Sequence, residues 1–401
     1  MALSRRHFLA ATAAAAATLR PQKALGRGLP RIHAERFDPW IEVSRTALRH
    51  NVEVVNRLAG GRPILAVVKN NAYGLGLVEA VSVLEPLDMI HGFAVVKAES
   101  ALALRRAGVT KPVLLMGLFG DEAGPDLVRG NVELVLATDD GAERIARAAR
   151  GAGRTPRFYV YLDTGMGRMG LPYHRAPDLL LRGWRADLPG PEGAFTAFTE
   201  EPGFDREQLD RFMGFVRQVR TGGVPLGTLH AASSNGVFHF PESHLDVVRP
   251  GIALYGAYPS DAGRERQIAE LRPAVSLKAR VVRVERLRPG DSVSYGRNFV
   301  AQAPTWVATI PVGHADGYPR GAVGGARVLI NGRLHPVIGA VSASHTIVEL
   351  GPEASARVGD VANLLGWEDE ALYPNTVADD SGASVYDVLM HLNPALPRVV
   401  V

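Results

Sequence analysis

A lysine at the end of an apolar segment is the first residue whose position suggests chemistry. Lys69 follows the run Pro63-Ile-Leu-Ala-Val-Val68, which is typical of a buried strand. In a barrel of parallel strands, the carboxyl end of a strand lies at the mouth where active sites form. An inward-facing ammonium at that place needs a partner or a lowered pKa. Two interpretations stay open on the residues alone: an amine that condenses with a carbonyl group, or a surface lysine at a strand end.

Two other patterns resemble functional motifs but lack the context those motifs need. Gly165-Met-Gly-Arg-Met-Gly170 has the spacing of a dinucleotide-binding loop, but Pro172 interrupts the helix that should begin there. The acidic residue at a suitable distance, Asp187, is in a Pro-Gly loop rather than at a strand end. His239 and His244 have no carboxylate constellation nearby. The sequence therefore predicts neither a dinucleotide site nor a metal ion.

Six segments along the chain occur in the order typical of one enzyme family. They are Val68-Lys69-Asn-Asn-Ala-Tyr73-Gly-Leu-Gly, Asp163-Thr-Gly-Met-Gly-Arg168-Met-Gly, His230-Ala-Ala-Ser-Ser234, Val248-Arg249-Pro-Gly251-Ile252-Ala-Leu-Tyr255-Gly, Val293-Ser-Tyr295-Gly and Val385-Tyr386-Asp-Val-Leu. In these segments the sequence resembles the alanine racemase family of pyridoxal 5'-phosphate (PLP) enzymes, over nearly all of residues 38–400. The resemblance implies a PLP-dependent isomerase that interconverts L- and D-amino acids and takes free amino acids as substrates.

The resemblance also implies which residues bind the cofactor. Lys69 would bind PLP covalently, and Arg249 would lie against the pyridine nitrogen. Arginine does not readily give up its proton, so the ring nitrogen would stay unprotonated, which favours racemisation over side reactions. A phosphate group is favoured by free backbone amides at the start of a helix. The residues implied as phosphate ligands are Tyr73, Ser234, Gly251, Ile252 and Tyr386.

Racemisation needs a base on each side of the α-carbon. By resemblance, Lys69 serves one side, and Tyr295 reaches the other side from a partner subunit, so that a homodimer is required for catalysis. Arg168 would bind the substrate carboxylate, with help from the backbone amide of Ala343. A phenol with a pKa of about 10 needs cationic or hydrogen-bonding neighbours to act as a base near neutrality. Arg168 is the expected neighbour.

The sequence departs from the family pattern at several positions. Ala197 stands where the family usually has a histidine stacked on the pyridine ring, and His314 stands where it typically has tyrosine. Small side chains replace the family's usual larger ones at four further positions, which are Ala340, Ala343, Ser344 and Ser384. Smaller side chains around the active site leave space that a larger substrate can fill. We therefore predict a substrate range wider than alanine.

Three other functions stay open at this point. A strict alanine racemase would share all six segments. A PLP-dependent decarboxylase of the same architecture typically uses a cysteine from its C-terminal domain, and this chain has no cysteine. A non-catalytic PLP-binding protein built on the barrel alone would not need a second domain or Tyr295.

Alternating strand and helix patterns predict the scaffold that positions these residues. Eight short apolar runs are expected as strands: Ile64–Val68, His91–Val96, Val113–Met116, Val132–Ala137, Arg157–Leu162, Gly193–Phe198, Thr228–Ala231 and Asp246–Val248. Amphipathic helices separate them, including one over residues 205–220 that Asp205 is expected to cap. Eight such units in about 190 residues indicate a (β/α)8 TIM-like barrel rather than an open flavodoxin-like or Rossmann sheet.

After about residue 265 the pattern changes to strands separated by turns. The expected strands are Val275–Glu285, Thr305–Val312, Ala326–Ile330, Val337–Ser342 and Thr346–Leu350. The sequence thus predicts an N-terminal barrel over residues 38–265 and a C-terminal all-β domain over residues 266–401. The early strand Trp40–Ser44 is expected to pair with the β domain.

The first 26 residues resemble a twin-arginine export signal. Ser4-Arg5-Arg6-His-Phe8-Leu9 precedes an alanine-rich run, and two further basic residues precede the small residues Ala24-Leu-Gly26. The apolar run of about 12 residues is shorter than the roughly 20 that a membrane span needs. We predict a periplasmic protein with no stable membrane association after signal cleavage.

The charge balance gives no reason to expect a nucleic-acid partner. The chain has 45 Lys+Arg and 41 Asp+Glu, with a net charge of +4. Residues 1–26 contain four basic residues and no acidic one, so equal numbers of each remain after the signal. The absence of cysteine excludes disulfides, iron–sulfur clusters and a cysteine nucleophile.

Overall fold

Parallel strands that follow one another in chain order form the first half of the molecule. A computed structural model describes residues 37–182 and 188–401 of the protein. Its first strand, β1 (Trp40–Val43), pairs with the second half of the chain. The barrel strands are β2 (Ile64–Val67), β3 (Ile90–Val95), β4 (Val113–Leu115), β5 (Glu133–Leu136), β6 (Arg157–Asp163) with its short neighbour β7 (Leu171–Pro172), β8 (Gly193–Phe195) and β9 (Thr228–His230).

The eighth strand position of the barrel is occupied by the segment around Val248 and Arg249, which has little regular strand structure. The Leu65 amide donates to the carbonyl of Val248 at 2.9 Å, and the Arg249 amide donates to the carbonyl of Ala232 at 2.8 Å. These bonds join the segment to β2 on one side and to the end of β9 on the other, so the predicted (β/α)8 barrel is confirmed. The predicted strand over 246–248 is reduced to a single bridge, since Pro250 has no N–H to extend the ladder.

Helices surround the barrel strands. They are α1 (Arg45–Leu58), α2 (Leu77–Leu84), α3 (Ala98–Arg106), α4 (Gly124–Arg129), α5 (Gly141–Ala152), α6 (Ala176–Arg182), α7 (Pro202–Thr221), α8 (Ser234–His239) and α9 (Ala262–Ile268), with 3-10 turns at Pro241–Ser243 and Ile252–Tyr255. The prediction that Asp205 caps α7 is wrong. The Glu201 carboxylate accepts the Phe204 amide at 2.7 Å, and Pro202 occupies the first turn, where its fixed φ is favourable.

The second half is built on a nine-stranded sheet. Its strands are β10 (Val275–Arg280), β11 (Arg283–Leu287), β14 (Thr305–Ile310), β15 (Arg327–Ile330), β16 (Arg333–Ile338), β17 (Thr346–Gly351), β18 (Val361–Leu365) and β19 (Arg398–Val400), together with β1; a separate hairpin consists of β12 (Ser292–Val293) and β13 (Phe299–Val300). β1 pairs with β10 antiparallel and with β19 parallel. The first strand of the chain therefore joins the barrel to the β domain.

The β domain also contains short helical segments. These are the helices α10 (Pro374–Ser381) and α11 (Val385–Met390) and the 3-10 turns Tyr295–Arg297, His314–Asp316, Arg320–Gly324 and Glu370–Leu372. The single strand expected over 275–285 is divided into β10 and β11. The strand expected over 337–342 ends at Ile338, because Gly339 has a φ of +73°. None of the helices in the described residues is long and apolar enough to cross a membrane. The expected signal over 1–26 and Asp187 lie outside those residues.

Candidate active site

Lys69 lies at the carboxyl end of β2, where the barrel opens. All four residues of β2 are buried, and the Lys69 side chain is partly exposed at the mouth. Burial, followed by the positive charges of Arg168 and Arg249, lowers the pKa of the Lys69 amine from its ordinary value. A lower pKa increases the fraction of neutral amine, which is the form that attacks a carbonyl group. The geometry favours a reactive amine over a surface lysine.

The chain leaves Lys69 through a left-handed turn. The φ angles over residues 70–73 are +53°, +58°, +52° and +53°. Left-handed backbone costs about 1–2 kcal/mol for each residue with a Cβ, so other contacts must hold this turn. The Asn71 side chain accepts the Leu77 amide at 2.8 Å. Gly74 ends the turn at φ +89°, and a Cβ there would lie 2.0 Å from the carbonyl oxygen of Leu389.

A buried arginine from the last strand clamps the same turn. Arg398 is 6% exposed, and its Nε and Nη2 donate to the Gly74 carbonyl at 3.0 and 2.8 Å. The rest of the guanidinium donates to carbonyls of the C-terminal segment, at Leu392, Asn393, Pro394 and Leu396. The β domain thus helps to set the position of Lys69 and Tyr73, which lie at the two ends of the turn.

A cavity of 720 Å³ opens beside Lys69. Eight of the ten predicted site residues line it, and they come from β2, the loop after β6, α8, the barrel closure and α11. They are Lys69, Tyr73, Arg168, Ser234, Arg249, Gly251, Ile252 and Tyr386. A smaller cavity of 420 Å³ between α1 and the end of α9 contains none of them. The fold therefore brings together residues that are far apart in the chain.

One end of the cavity is a cluster of hydroxyl and amide groups. The buried Ser234 Oγ accepts the Gly251 amide at 3.0 Å and the Ala253 amide at 3.2 Å. Burial raises the pKa of both Tyr73 and Tyr386, so their hydroxyl groups keep their protons and can donate. A Cβ at Gly251 would lie 2.2 Å from the Tyr73 hydroxyl, so a larger residue there would displace the Tyr73 ring. This donor set suits a phosphate group.

A buried arginine also lines the cavity and contacts a buried histidine. Arg249 Nη1 donates to Nδ1 of His230 at 2.7 Å, and Nη2 donates to the Thr196 carbonyl at 2.8 Å. Burial, followed by the Arg249 charge, holds the pKa of His230 well below its usual value, so the imidazole is neutral. Burial also lowers the pKa of Arg249 to about 10, which leaves the guanidinium charged at neutral pH. Arg249 thus lies in the cavity as a permanent cation.

Arg168 is held over the cavity by a tight loop after β6. The Asp163 Oδ1 atom accepts the amides of Gly165 and Gly167 at 2.9 and 3.1 Å. Gly167 has a φ of +66°, which a residue with a Cβ would adopt at a cost. No helix begins in this glycine-rich loop, since the chain continues directly into β7. The loop presents an arginine and has no features of a dinucleotide site.

Two predicted site residues lie away from the cavity of their own chain. The Tyr295 side chain is 78% exposed on the β domain, and Ala343 is also exposed. A hydrogen bond links the segments that carry these residues, because the Ser294 hydroxyl donates to the Ala340 carbonyl at 2.8 Å. The structure of one chain does not bring these residues to Lys69.

Of the other positions discussed from the sequence, some line the cavity and others lie elsewhere. Ala197 lines the cavity, as expected for the position of a missing histidine ring. His314 is exposed on the β domain, and Ser384 lies outside the cavity, where its Oγ accepts the Tyr386 amide at 3.2 Å and caps α11. His239 bonds Glu265 at 2.7 Å, a structural contact. Within residues 37–182 and 188–401, no three His, Asp or Glu side chains cluster as a metal site would require.

Sequence reasoning missed three residues with clear contacts at the site. His230 belongs to a recognised segment, but its bond to Arg249 depends on the packing of β9 against the barrel closure. Glu200 lines the cavity from the loop after β8. Arg398 reaches Gly74 across 324 positions of sequence. No local pattern marks any of these contacts.

Comparison with known proteins agrees with the motifs. Residues 43–259 match the family described as "Alanine racemase, N-terminal domain", and residues 274–400 match "Alanine racemase, C-terminal domain". The alanine racemase of Desulforamulus reducens is 33% identical over 90% of this chain and 98% of its own length. That of Edwardsiella ictaluri is 36% identical over 87% of this chain and 94% of its own. The crystal structure of alanine racemase from D-cycloserine-producing Streptomyces lavendulae superimposes with a TM-score of 0.85 at 29% identity, covering 91% of this chain and 97% of that one.

The barrel, its lysine-centred cavity and the adjoining β domain define the class of PLP-dependent amino-acid racemases. The cavity is lined by an arginine, an amine and a set of hydroxyl groups, which suit the ring nitrogen, the carbonyl and the phosphate of PLP. The cradle at Gly251, which a Cβ would fill, provides the space. Within this class, the chain belongs to the alanine racemase family.

Proposed function

We propose that the protein racemises free amino acids with two bases, one of which is Lys69. PLP, when bound, withdraws electrons from the substrate and acidifies its α-proton. Lys69 takes or returns that proton on one side, since its lowered pKa provides a neutral amine. Arg168 orients the substrate carboxylate from the loop after β6. The observation that carries this proposal is the convergence of Lys69, Arg168 and Arg249 in one cavity.

Arg249 sets the character of the reaction. Its guanidinium keeps its proton at neutral pH, and the neutral His230 accepts one of its N–H groups. A donor that does not release its proton leaves a facing ring nitrogen unprotonated. Proton removal and return are then favoured over reactions that need a stronger electron sink, such as transamination.

We further propose that Tyr295 of a partner subunit provides the second base. Its side chain is exposed on the β domain and lies outside its own cavity. Ser294, with a φ of +63°, bonds the Ala340 carbonyl and holds the loop that presents the phenol. A symmetric dimer would deliver one Tyr295 and one Ala343 to each cavity.

Mixing two inactive variants tests this arrangement. Lys69→Ala and Tyr295→Phe homodimers each lack one base at both sites, and each is expected to lose nearly all activity. After random subunit exchange, half of the dimers are hybrids with one intact site, so about a quarter of the wild-type activity should return. Each variant incubated with itself is the control. Hybrid dimers isolated with two different tags that show no activity would contradict a shared site.

We also propose that the substrate range is wider than alanine. Ala197 leaves space on the cavity wall, and the proposed dimer would bring Ala340, Ala343 and Ser344 of the β domain to a partner's cavity. The ratio of kcat/KM for L-alanine to that for L-lysine, L-methionine and L-arginine is the direct measurement. A preference for alanine of tenfold or more, about 1.4 kcal/mol in the transition state, would contradict the proposal.

We propose, finally, that the twin-arginine segment over residues 1–26 exports the folded protein to the periplasm. The support is the Ser-Arg-Arg-x-Phe-Leu core and the short apolar run. Replacing Arg5 and Arg6 by lysine should retain the enzyme in the cytoplasmic fraction. Equal amounts of both proteins in the periplasmic fraction would show that another route is used.

A further inference from the structure

A fully buried glutamine on α7 bridges two loops at the mouth of the barrel. Gln208 Nε2 donates to the Thr164 hydroxyl at 3.1 Å and to the Ala197 carbonyl at 3.2 Å, and its Oε1 accepts the Thr199 amide at 3.0 Å. Thr164 begins the loop after β6, which carries Arg168, and the other two partners belong to the loop after β8. Both N–H groups and the oxygen of the side-chain amide are therefore used, as a buried polar group requires.

Two threonine hydroxyls continue this bridge into the barrel. Thr164 and Thr196 are both fully buried, and their Oγ1 atoms lie 2.8 Å apart. Because the Thr196 hydroxyl donates its hydrogen to the Leu162 carbonyl at 2.9 Å, the Thr164 hydroxyl is the donor between the two threonines. Each hydroxyl in the chain from Gln208 to Leu162 thus accepts one hydrogen bond and donates one. A buried network that is fully satisfied holds its members in one arrangement.

The same network reaches a second arginine of the cavity. Arg249 Nη2 donates to the Thr196 carbonyl at 2.8 Å, so Thr196 bonds Arg249 through its backbone and Thr164 through its side chain. Thr164 lies four positions before Arg168 in the chain, and Arg168 and Arg249 line the same cavity. The network therefore connects the supports of these two cations.

A second side chain of α7 holds both ends of the loop after β6. Arg211 lies three positions after Gln208, on the same face of the helix. Its Nη1 donates to the Thr164 carbonyl at 2.7 Å, and its guanidinium carbon lies 4.7 Å from the centre of the Tyr173 ring. Arg168 itself is exposed, and three of the residues between these two anchors are glycines. The position of Arg168 therefore depends on how α7 holds the ends of its loop.

We propose that Gln208 is a positioning residue, which holds Arg168 in place to bind the substrate carboxylate. This inference rests on the proposed function, in which Arg168 orients that carboxylate, and it adds a residue that does not line the cavity itself. Without the Gln208 amide, the loops after β6 and β8 lose their common partner, and Arg168 is no longer fixed relative to Arg249. A hydrogen bond to a charged group contributes about tenfold or more to affinity. Imprecise placement of Arg168 should therefore weaken the binding of a carboxylate by about that factor and leave an uncharged ligand unaffected.

The test compares Gln208→Met with a matched control, Phe212→Leu, on the PLP-loaded enzyme. Methionine keeps the length of glutamine but cannot donate a hydrogen bond. Phe212 is also fully buried on α7, and its apolar side chain makes no hydrogen bond, so the control weakens the packing of the helix without removing a member of the network.

The measured quantity is the propionate preference, which is the dissociation constant of propionamide divided by that of propionate, both determined by calorimetry. The two probes have nearly the same size and differ in the charged carboxylate. We expect a preference of about tenfold or more in the wild type, a loss of about tenfold in Gln208→Met, and a change of less than about twofold in Phe212→Leu.

A second pair of variants tests the network without changing Gln208, and it decides the question by itself if Gln208→Met does not fold. Thr164→Val removes the hydroxyl and keeps the shape of the side chain, whereas Thr164→Ser keeps the hydroxyl. We expect the propionate preference to fall at least about threefold in Thr164→Val and to stay within about twofold of the wild type in Thr164→Ser. Titration of each apo-protein with PLP should give an affinity within about threefold of the wild type, because neither Gln208 nor Thr164 is a predicted phosphate ligand.

Three results would overturn the inference. The first is a propionate preference that is unchanged in both Gln208→Met and Thr164→Val, and the second is an equal fall in Phe212→Leu, which would assign the effect to the packing of α7. The third is a loss of PLP affinity as large as the loss of propionate affinity, which would show a general distortion of the barrel mouth. Failure of the proposed function is distinct, because it would appear in the wild type as equal affinity for propionate and propionamide.

Discussion

Replacing Arg398 by methionine tests whether the C-terminal strand holds the active-site turn. The guanidinium is buried and donates to five backbone carbonyls, of which Gly74 receives two bonds. A hydrogen bond to a charged group contributes about 1.5–3 kcal/mol, and the contributions of neighbours are not additive. Methionine keeps most of the apolar volume but leaves these carbonyls without their donor. We expect unfolding to become easier by about 3 kcal/mol, because several buried carbonyls lose their donor and each unsatisfied group costs about 1–3 kcal/mol.

The same change should weaken cofactor binding. Without Arg398, the left-handed turn loses one of the contacts that offset its backbone strain, and Lys69 and Tyr73 lie at its two ends. Urea unfolding of the apo-protein measures the stability, and titration with PLP measures the affinity. Arg398→Lys should restore part of both, because an ammonium can reach one or two carbonyls but not all five.

The control for this experiment is Arg288→Met. The Arg288 side chain is 85% exposed and pairs with Asp291 on the surface, so its loss should change the stability by less than about 0.5 kcal/mol. A loss below about 1 kcal/mol in Arg398→Met would refute the clamp itself. A large loss of stability with unchanged PLP affinity would refute the connection between the clamp and Lys69.

Two further predictions concern the scaffold. Gly74→Ala and Gly61→Ala both place a Cβ on left-handed backbone, at φ +89° and +79°, but only the first meets a carbonyl oxygen. Urea unfolding should show a cost of about 1–2 kcal/mol for Gly61→Ala and at least twice that for Gly74→Ala; equal costs would contradict the close contact. Lys278 joins Glu42 and Glu368 at 2.7 Å each, so Lys278→Met should cost about 3–5 kcal/mol. Burial lowers the pKa of Lys278, but its hydrogen bonds to Glu368 and Glu42 raise it overall. The stabilisation should therefore be present at neutral pH and be lost only as the pH rises through that raised pKa. A loss already below pH 9, or no loss at all, would contradict this assignment.

The sequence by itself determined the architecture and the class of chemistry. Strand and helix periodicity is local, since it reflects which face of each element is buried, so the barrel and the β domain could be recognised from it. The segment ending in Lys69 was recognisable for the same reason, because an apolar strand leads directly into it. The sequence determined the ends of the helices less well. Both Glu201 and Asp205 could cap α7, and the helix begins at Pro202, after Glu201.

Only the tertiary structure decided which distant groups meet. Arg398 and Gly74 are separated by 324 positions, and Arg249 and His230 contact each other only because the barrel closes through a segment with little strand structure. Glu200 has no motif, and only the packed structure shows that it lines the cavity and contacts Ser233. The burial and hydrogen bonding of polar groups depend on three-dimensional packing. The periodicity that specifies helices and strands, in contrast, is a property of residues that are neighbours in the sequence.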